Sequence, residues 1–147
     1  MRSFHERNQD KAYILYLIKV SEKIRSNLKM VKIIFLVNYE FNQLHNDTIF
    51  NYKFKQWHFG PYNDWIKWDL SDLLNVRLIS MEDRNYVLTE VGKRKTENFA
   101  RILNPEKLEF ITKIIEKYSD KTGEELMRFV NDLESIKKTK FSSEILF

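Results

Sequence analysis

With 147 residues, 43% of them hydrophobic and 14% aromatic, the chain holds enough apolar material for one packed core and does not have the composition of a disordered protein. The 25 basic residues outnumber the 21 acidic ones by a net charge of +4, at a pI near 9.2, which permits a nucleic acid or acidic partner without requiring one. The lack of cysteine excludes disulfides and thiolate chemistry, and with only three glycines and two prolines the chain favours helices over a many-turned sandwich. The polar start (Arg2, His5, Glu6, Arg7, Asp10) is unlike a signal peptide, and no apolar run is long enough to span a bilayer. A cytoplasmic protein with no membrane contact is expected.

A first helix is expected from Asn8 or Asp10 to Ile24, with Ile14, Leu17, Ile18 and Ser21 at helical spacing. Ser26 and Asn27 offer caps for a second helix, Leu28 to Leu44. Its run Ile33-Ile34-Phe35-Leu36-Val37 would suit a buried strand. The length and the set Val31, Ile34, Phe35 favour a helix buried on most sides. After a loop at residues 45–49, bulky and polar residues alternate from Phe50 to Phe59, as in a short extended segment. Gly60-Pro61 is expected to end it, with the proline opening a third helix from Tyr62 to Asn75. Ile66, Leu70, Leu73 and Leu74 make that helix's core face, while Asp69 and Asp72 read as a solvated face.

Leu78 to Met81 and Tyr86 to Leu88 flank the turn-forming Glu82-Asp83-Arg84-Asn85, which reads as a hairpin of wing size. Thr89 caps a fourth helix to Leu103, with Val91, Phe99, Ala100 and Leu103 expected inside. Asn104-Pro105 starts a fifth helix carrying Leu108, Ile111, Ile115 and Tyr118. Thr122 and Glu125 have capping-box spacing for a sixth, with Leu126, Phe129, Val130 and Leu133. Lys137, Lys138 and Lys140 then lead to an apolar Ile145-Leu146-Phe147, which would dock on its own domain or on a partner chain.

The fold class implied is mainly α with a small β-hairpin. A winged-helix-like core (10–103) and a C-terminal helical pair (104–134) form one domain (1–134), followed by a basic, apolar tail (135–147). Within this frame Trp57-His58-Phe59-Gly60-Pro61 resembles the Trp-x-Tyr-Gly-Pro signature of the Panacea domain and of phage-associated YwgA-like proteins. Tyr86-Val87-Leu88-Thr89-Glu90-Val91-Gly92 is similar to the family's Tyr-x-Leu-Thr-x-x-Gly, and Ile114 to Val130 resembles its closing helices. The resemblance covers about residues 12 to 132, with Phe59 where the family favours tyrosine. It implies a toxin-neutralising antitoxin domain or a regulator associated with mobile elements.

Catalytic chemistry is hard to build from these residues. His5, His45 and His58 fall in separate elements, and none has a second ligand three or four residues away, so no metal is expected. Glycines isolated at 60, 92 and 123 form no phosphate loop, and no serine sits in a nucleophile elbow. A protein without enzymatic activity or cofactor is expected.

Binding is the alternative, and two surfaces offer it. Lys19, Lys23, Arg25, Lys29 and Lys32 cluster around the first interhelical turn, with Arg84 at the hairpin tip and Lys93, Arg94 and Lys95 behind it. These could contact DNA phosphates; ordinary surface charge is the competing reading. The third helix, with three acids against one base, is poorly suited to the major groove. Trp57, Tyr62, Asp64, Trp65, Trp68 and Asp72 are the candidates for a protein interface, although the aromatic group Trp57, Phe59, Tyr62, Trp65 and Trp68 reads first as core. The expected function is a regulator binding duplex DNA mainly through phosphates, with homodimerisation permitted. The alternative is an antitoxin or adaptor with a toxin-like protein partner.

Overall fold

The computed structural model describes residues 1–147. Its elements run α1 (Phe4–Ser21), β1 (Ile24–Arg25), α2 (Ser26–His45), β2 (Lys55–Trp57), β3 (Gly60–Tyr62), α3 (Asp64–Asn75), β4 (Ile79–Glu82) and β5 (Asn85–Leu88). They continue as α4 (Glu90–Ala100), α5 (Pro105–Tyr118), α6 (Gly123–Asn131) and α7 (Glu134–Lys137). The fold is mainly α, as expected, and no helix is long and apolar enough to cross a membrane.

α1 starts earlier than its apolar spacing indicates. Ser3 and Glu6 form a capping box, the Glu6 N–H donating to Ser3 Oγ at 3.1 Å and the Ser3 N–H to Glu6 Oε1 at 2.8 Å. It stops at Ser21 because Glu22 turns to φ 66°, which sends Ile24 into β1 instead of prolonging the helix. Arg25 is the N-cap of α2, and Ser26, at φ 73°, reaches only the Lys29 N–H, at 3.4 Å. α2 is buried continuously from Met30 to Asn38, so the central apolar run is helix and not strand. Asn38 survives there because both ends of its amide are hydrogen-bonded. Its Oδ1 accepts the Ile49 and Phe50 N–H groups and its Nδ2 donates to the Phe50 carbonyl.

The Gly60-Pro61 step differs from the expectation. Instead of ending a strand and starting a helix, it lies inside β3, which folds back antiparallel on β2 with Gln56 opposite Pro61. Proline has no N–H to donate and is tolerated in so short a ribbon. Gly60 has φ 97°, and a Cβ there would lie 2.7 Å from Asn131 Oδ1, so both conformation and space require glycine. α3 begins after it, at Asp64, where Asn63 Oδ1 accepts the Trp65 N–H.

β4 and β5 form the expected hairpin, closed by Asp83 and Arg84 with φ of 49° and 66°, the left-handed pair a two-residue turn needs. β1 adds a third strand on the far side of β5, giving the order β1-β5-β4. α4 is capped by Thr89 but turns its face differently from the expectation. Val91 is exposed, while Gly92 and Thr96 are buried. The reason is close approach: a Cβ on Gly92 would lie 1.9 Å from the Leu78 carbonyl oxygen. Gly92→Ala is therefore expected to cost about 2 kcal/mol through forced displacement of α4. Urea denaturation checks this; unchanged stability would mean that the contact relaxes freely.

α5 and α6 follow the sequence closely. Leu108, Ile111, Ile115 and Tyr118 are all buried, and the Thr122–Glu125 capping box forms in both directions. The core continues into the tail. The Ile145 N–H donates to the Phe54 carbonyl and the Gln56 N–H to the Ser143 carbonyl, so residues 143–145 run along β2. Ile145 is buried, and the Phe147 ring meets Phe35 and Tyr39 edge-on.

Candidate interaction site

Most of the aromatic group is not core. Trp68 is 58% exposed, Phe59 65% and Trp57 37%, while Tyr62 and Trp65 are half-buried. The core face of α3 is filled by Ile66, Leu70 and Leu73, which leaves Trp68 pointing out. Phe59 sits at the turn of the β2–β3 ribbon, and Trp57 stacks on Phe141 of the tail with ring centroids 5.0 Å apart. Asp64 and Asp72 are exposed on the same helix, Asp72 paired with Lys11 at 2.8 Å. The six residues expected at a protein interface thus lie on adjoining elements, the ribbon and α3.

Asp69 is the correction on this helix. Its carboxylate is buried, held by Arg2 through Nη1 at 2.5 Å and Nη2 at 3.0 Å, and it accepts the Tyr52 hydroxyl. The same guanidinium reaches Asp10 at 2.9 Å and lies 4.7 Å over the Trp65 ring. Burial pushes the Asp10 carboxyl up to about 6, although hydrogen bonds from Asn51 and Arg2 hold it down. Arg2 therefore fixes the ring of Trp65 and the first turns of α3 below the exposed Trp68. A pairing across 67 positions leaves no local signal.

The basic candidates do not form one surface. Lys32 is the clearest departure: it is buried inside α2, and its Nζ donates to the Pro61 carbonyl at 3.0 Å. Desolvation lowers its pKa to about 8. Lys29 donates to the Ser119 carbonyl at 3.1 Å. Lys93 pairs with Glu90 at 3.2 Å, and it borders with Lys19 a hollow that also contains Glu22, Glu82 and Glu97. Lys23, Arg25, Arg84, Arg94 and Lys95 are exposed, with Arg25 and Arg84 adjoining at the hairpin turn.

The residues that sequence reading passed over are Arg2, Phe141 and Asn131, together with the interior role of Lys32. Only Lys32 carried a signal, since a lysine within Met30-Val31-Lys32-Ile33-Ile34 stands in an otherwise apolar run.

The chain is a mainly helical domain with a glycine–proline ribbon and a third helix that exposes a tryptophan. Residues 30–135 match the family model described as Antitoxin SocA-like, Panacea domain, and the chain belongs to that family. No curated protein and no solved structure matches it. The matched residues contain the ribbon, α3 and the closing helices, and leave out α1 and the end of the tail.

Proposed function

We propose that this chain is a non-enzymatic, cytoplasmic antitoxin-type module that binds a toxin-like protein through Trp57, Tyr62, Asp64, Trp65, Trp68 and Asp72. The observation that carries the reading is the exposed Trp68 between two exposed carboxylates on a helix whose rear face is locked by Arg2. Tryptophan is enriched among residues that dominate binding energy, and a rigid support lowers the ordering cost of the bound state. Exposed acids on this helix favour a partner with a basic face. Membership of an antitoxin-like family supports the same assignment. The test is to purify the partner that accompanies the tagged protein and to measure affinity for the wild type and Trp68→Ala. A loss of about 30-fold or more is expected, as for a central anchor of roughly 2 kcal/mol. Unchanged affinity rejects this face.

A second reading, duplex DNA bound mainly through phosphates, draws support from the strand order β1-β5-β4 beside α1, α2 and α3, which is compatible with a winged-helix arrangement. Arg25 and Arg84 at the hairpin are its best remaining contacts, with Arg94 and Lys95 behind them. In a salt series on random duplex, neutralising Arg25 and Arg84 should reduce the slope of log affinity against log salt by about two. No binding at low salt rejects this reading.

A further inference from the structure

The family's signature ribbon encloses something besides its own strands. A cavity of about 380 Å³ opens between the N-terminal half of α2 and the β2–β3 ribbon. Its walls are mainly apolar and aromatic: Leu28, Val31, Trp57, Phe59 and Tyr62. Lys32 lines it as well, from a position only 2% exposed.

That ammonium is under-used. Of its three N–H donors, one is taken by the Pro61 carbonyl, and no carboxylate pairs with it. A buried cation without a counter-ion is costly and is ordinarily neutralised or paired. The cavity therefore combines an apolar body, one fixed positive charge and spare hydrogen-bond donors, the usual composition of a site for a small organic ligand.

We propose that this cavity is a binding site for a monoanionic carboxylate carried on an apolar or aromatic group, with Lys32 as the counter-ion and Trp57, Phe59 and Tyr62 as the walls. A dianionic phosphate is disfavoured, because one ammonium cannot balance it and Asp64 stands at the cavity's edge. The carboxylate can come from a free organic acid or from the end of a peptide chain; the chemistry recognised is the same. Trp57, Tyr62 and Asp64 belong to both this cavity and the proposed protein interface, whereas Lys32 lines the cavity alone and Trp68 lies outside it, so Lys32→Met and Trp68→Ala test the two readings separately. Lys32, Asp64 and Tyr62 are the titratable groups that line it from α2, α3 and the ribbon. Binding weakens as alkaline pH removes the proton from the ammonium.

The probes are 4-phenylbutyrate and its neutral counterpart 4-phenylbutanol, titrated into the full chain with tryptophan fluorescence and amide NMR shifts as readouts. The acid is expected to bind at least tenfold more tightly than the alcohol and to move resonances of the ribbon and of residues 28–32. Lys32→Met is expected to abolish that preference, and Asp64→Asn to strengthen acid binding about twofold to fivefold. A peptide ending in Leu-Phe with a free carboxylate, set against its amidated form, separates the sources. Preference for the free terminus assigns a chain end as ligand, whereas binding of the small acid alone assigns a free organic acid. Equal response to acid and alcohol overturns the proposal. So does the absence of binding by all probes, or an acid preference that survives in Lys32→Met.

Discussion

Arg2→Ala is expected to destabilise the protein by about 3–5 kcal/mol at pH 7, the usual consequence of stripping a buried charge cluster of its counter-ion. The Arg2 side chain is 7% exposed and faces two carboxylates, Asp10 at 0% and Asp69 at 1%. Removing either acid would leave a one-to-one pair. Removing the arginine leaves two buried anions sharing only hydrogen bonds from Asn51 and Tyr52. The sign of the pH dependence follows. Asp10 is already pushed up by burial to about 6, from an ordinary 3.8, and losing Arg2 raises it further. A folded state that binds more protons than the unfolded one loses stability as pH rises through that window. The variant should thus regain part of its deficit at pH 5. Urea unfolding at pH 7 and pH 5 measures both effects, and a variant as stable as wild type at pH 7 would show the cluster to be neutralised by other means.

Lys32→Met is expected to have the opposite sign. The lysine is lowered by desolvation to about 8 from an ordinary 10.5, so between those values the unfolded chain binds the extra proton and wild-type stability rises with pH. At neutral pH the buried ammonium costs about 3 kcal/mol on that account. Methionine removes the cost, fills a similar volume, and leaves the Pro61 carbonyl without its donor, a loss of about 1 kcal/mol. The net expectation is a gain of about 2 kcal/mol, or roughly 5 °C in melting temperature. The rise in stability between pH 8 and 10.5 should flatten in the variant. A variant less stable than wild type would show the ammonium to be better solvated than its surroundings indicate. A residue that lowers stability in the fold's central helix is the expected mark of a binding position, where stability is exchanged for recognition.

What the sequence disclosed depended on the range over which each interaction acts. The Thr122–Glu125 box, the Asn104-Pro105 start and the apolar stripe of α5 lie within one or two turns, and all were legible. The hairpin was legible because Asp83 and Arg84 sit between two alternating runs. β1 was not, since two residues have no periodicity and Ile24 fits the preceding helix equally well. Gly60-Pro61 was misread because proline after glycine suits a helix start as well as a ribbon, and only the packing of Asn131 on Gly60 decides between them. At the candidate site the residue types were legible but their exposure was not. Trp68 and Trp65 are three positions apart on one helix, yet Arg2, just before the start of α1, covers one and leaves the other exposed. The nine cations looked alike as residue types; a carbonyl, burial or a glutamate separates Lys29, Lys32 and Lys93 from the rest.

The bridge that residues 143–145 make along β2 also has a consequence in time. Those residues are synthesised after every segment they cover, so while they remain within the ribosome the ribbon has a free edge and Phe35, Tyr39 and Phe54 lack part of their packing. Open edges and unfinished apolar surfaces are the features that chaperones and neighbouring nascent chains engage. The emerging chain therefore passes through an interval in which its own tail and any other extended segment compete for one edge, and the tail, tethered to the same molecule, holds the advantage of proximity.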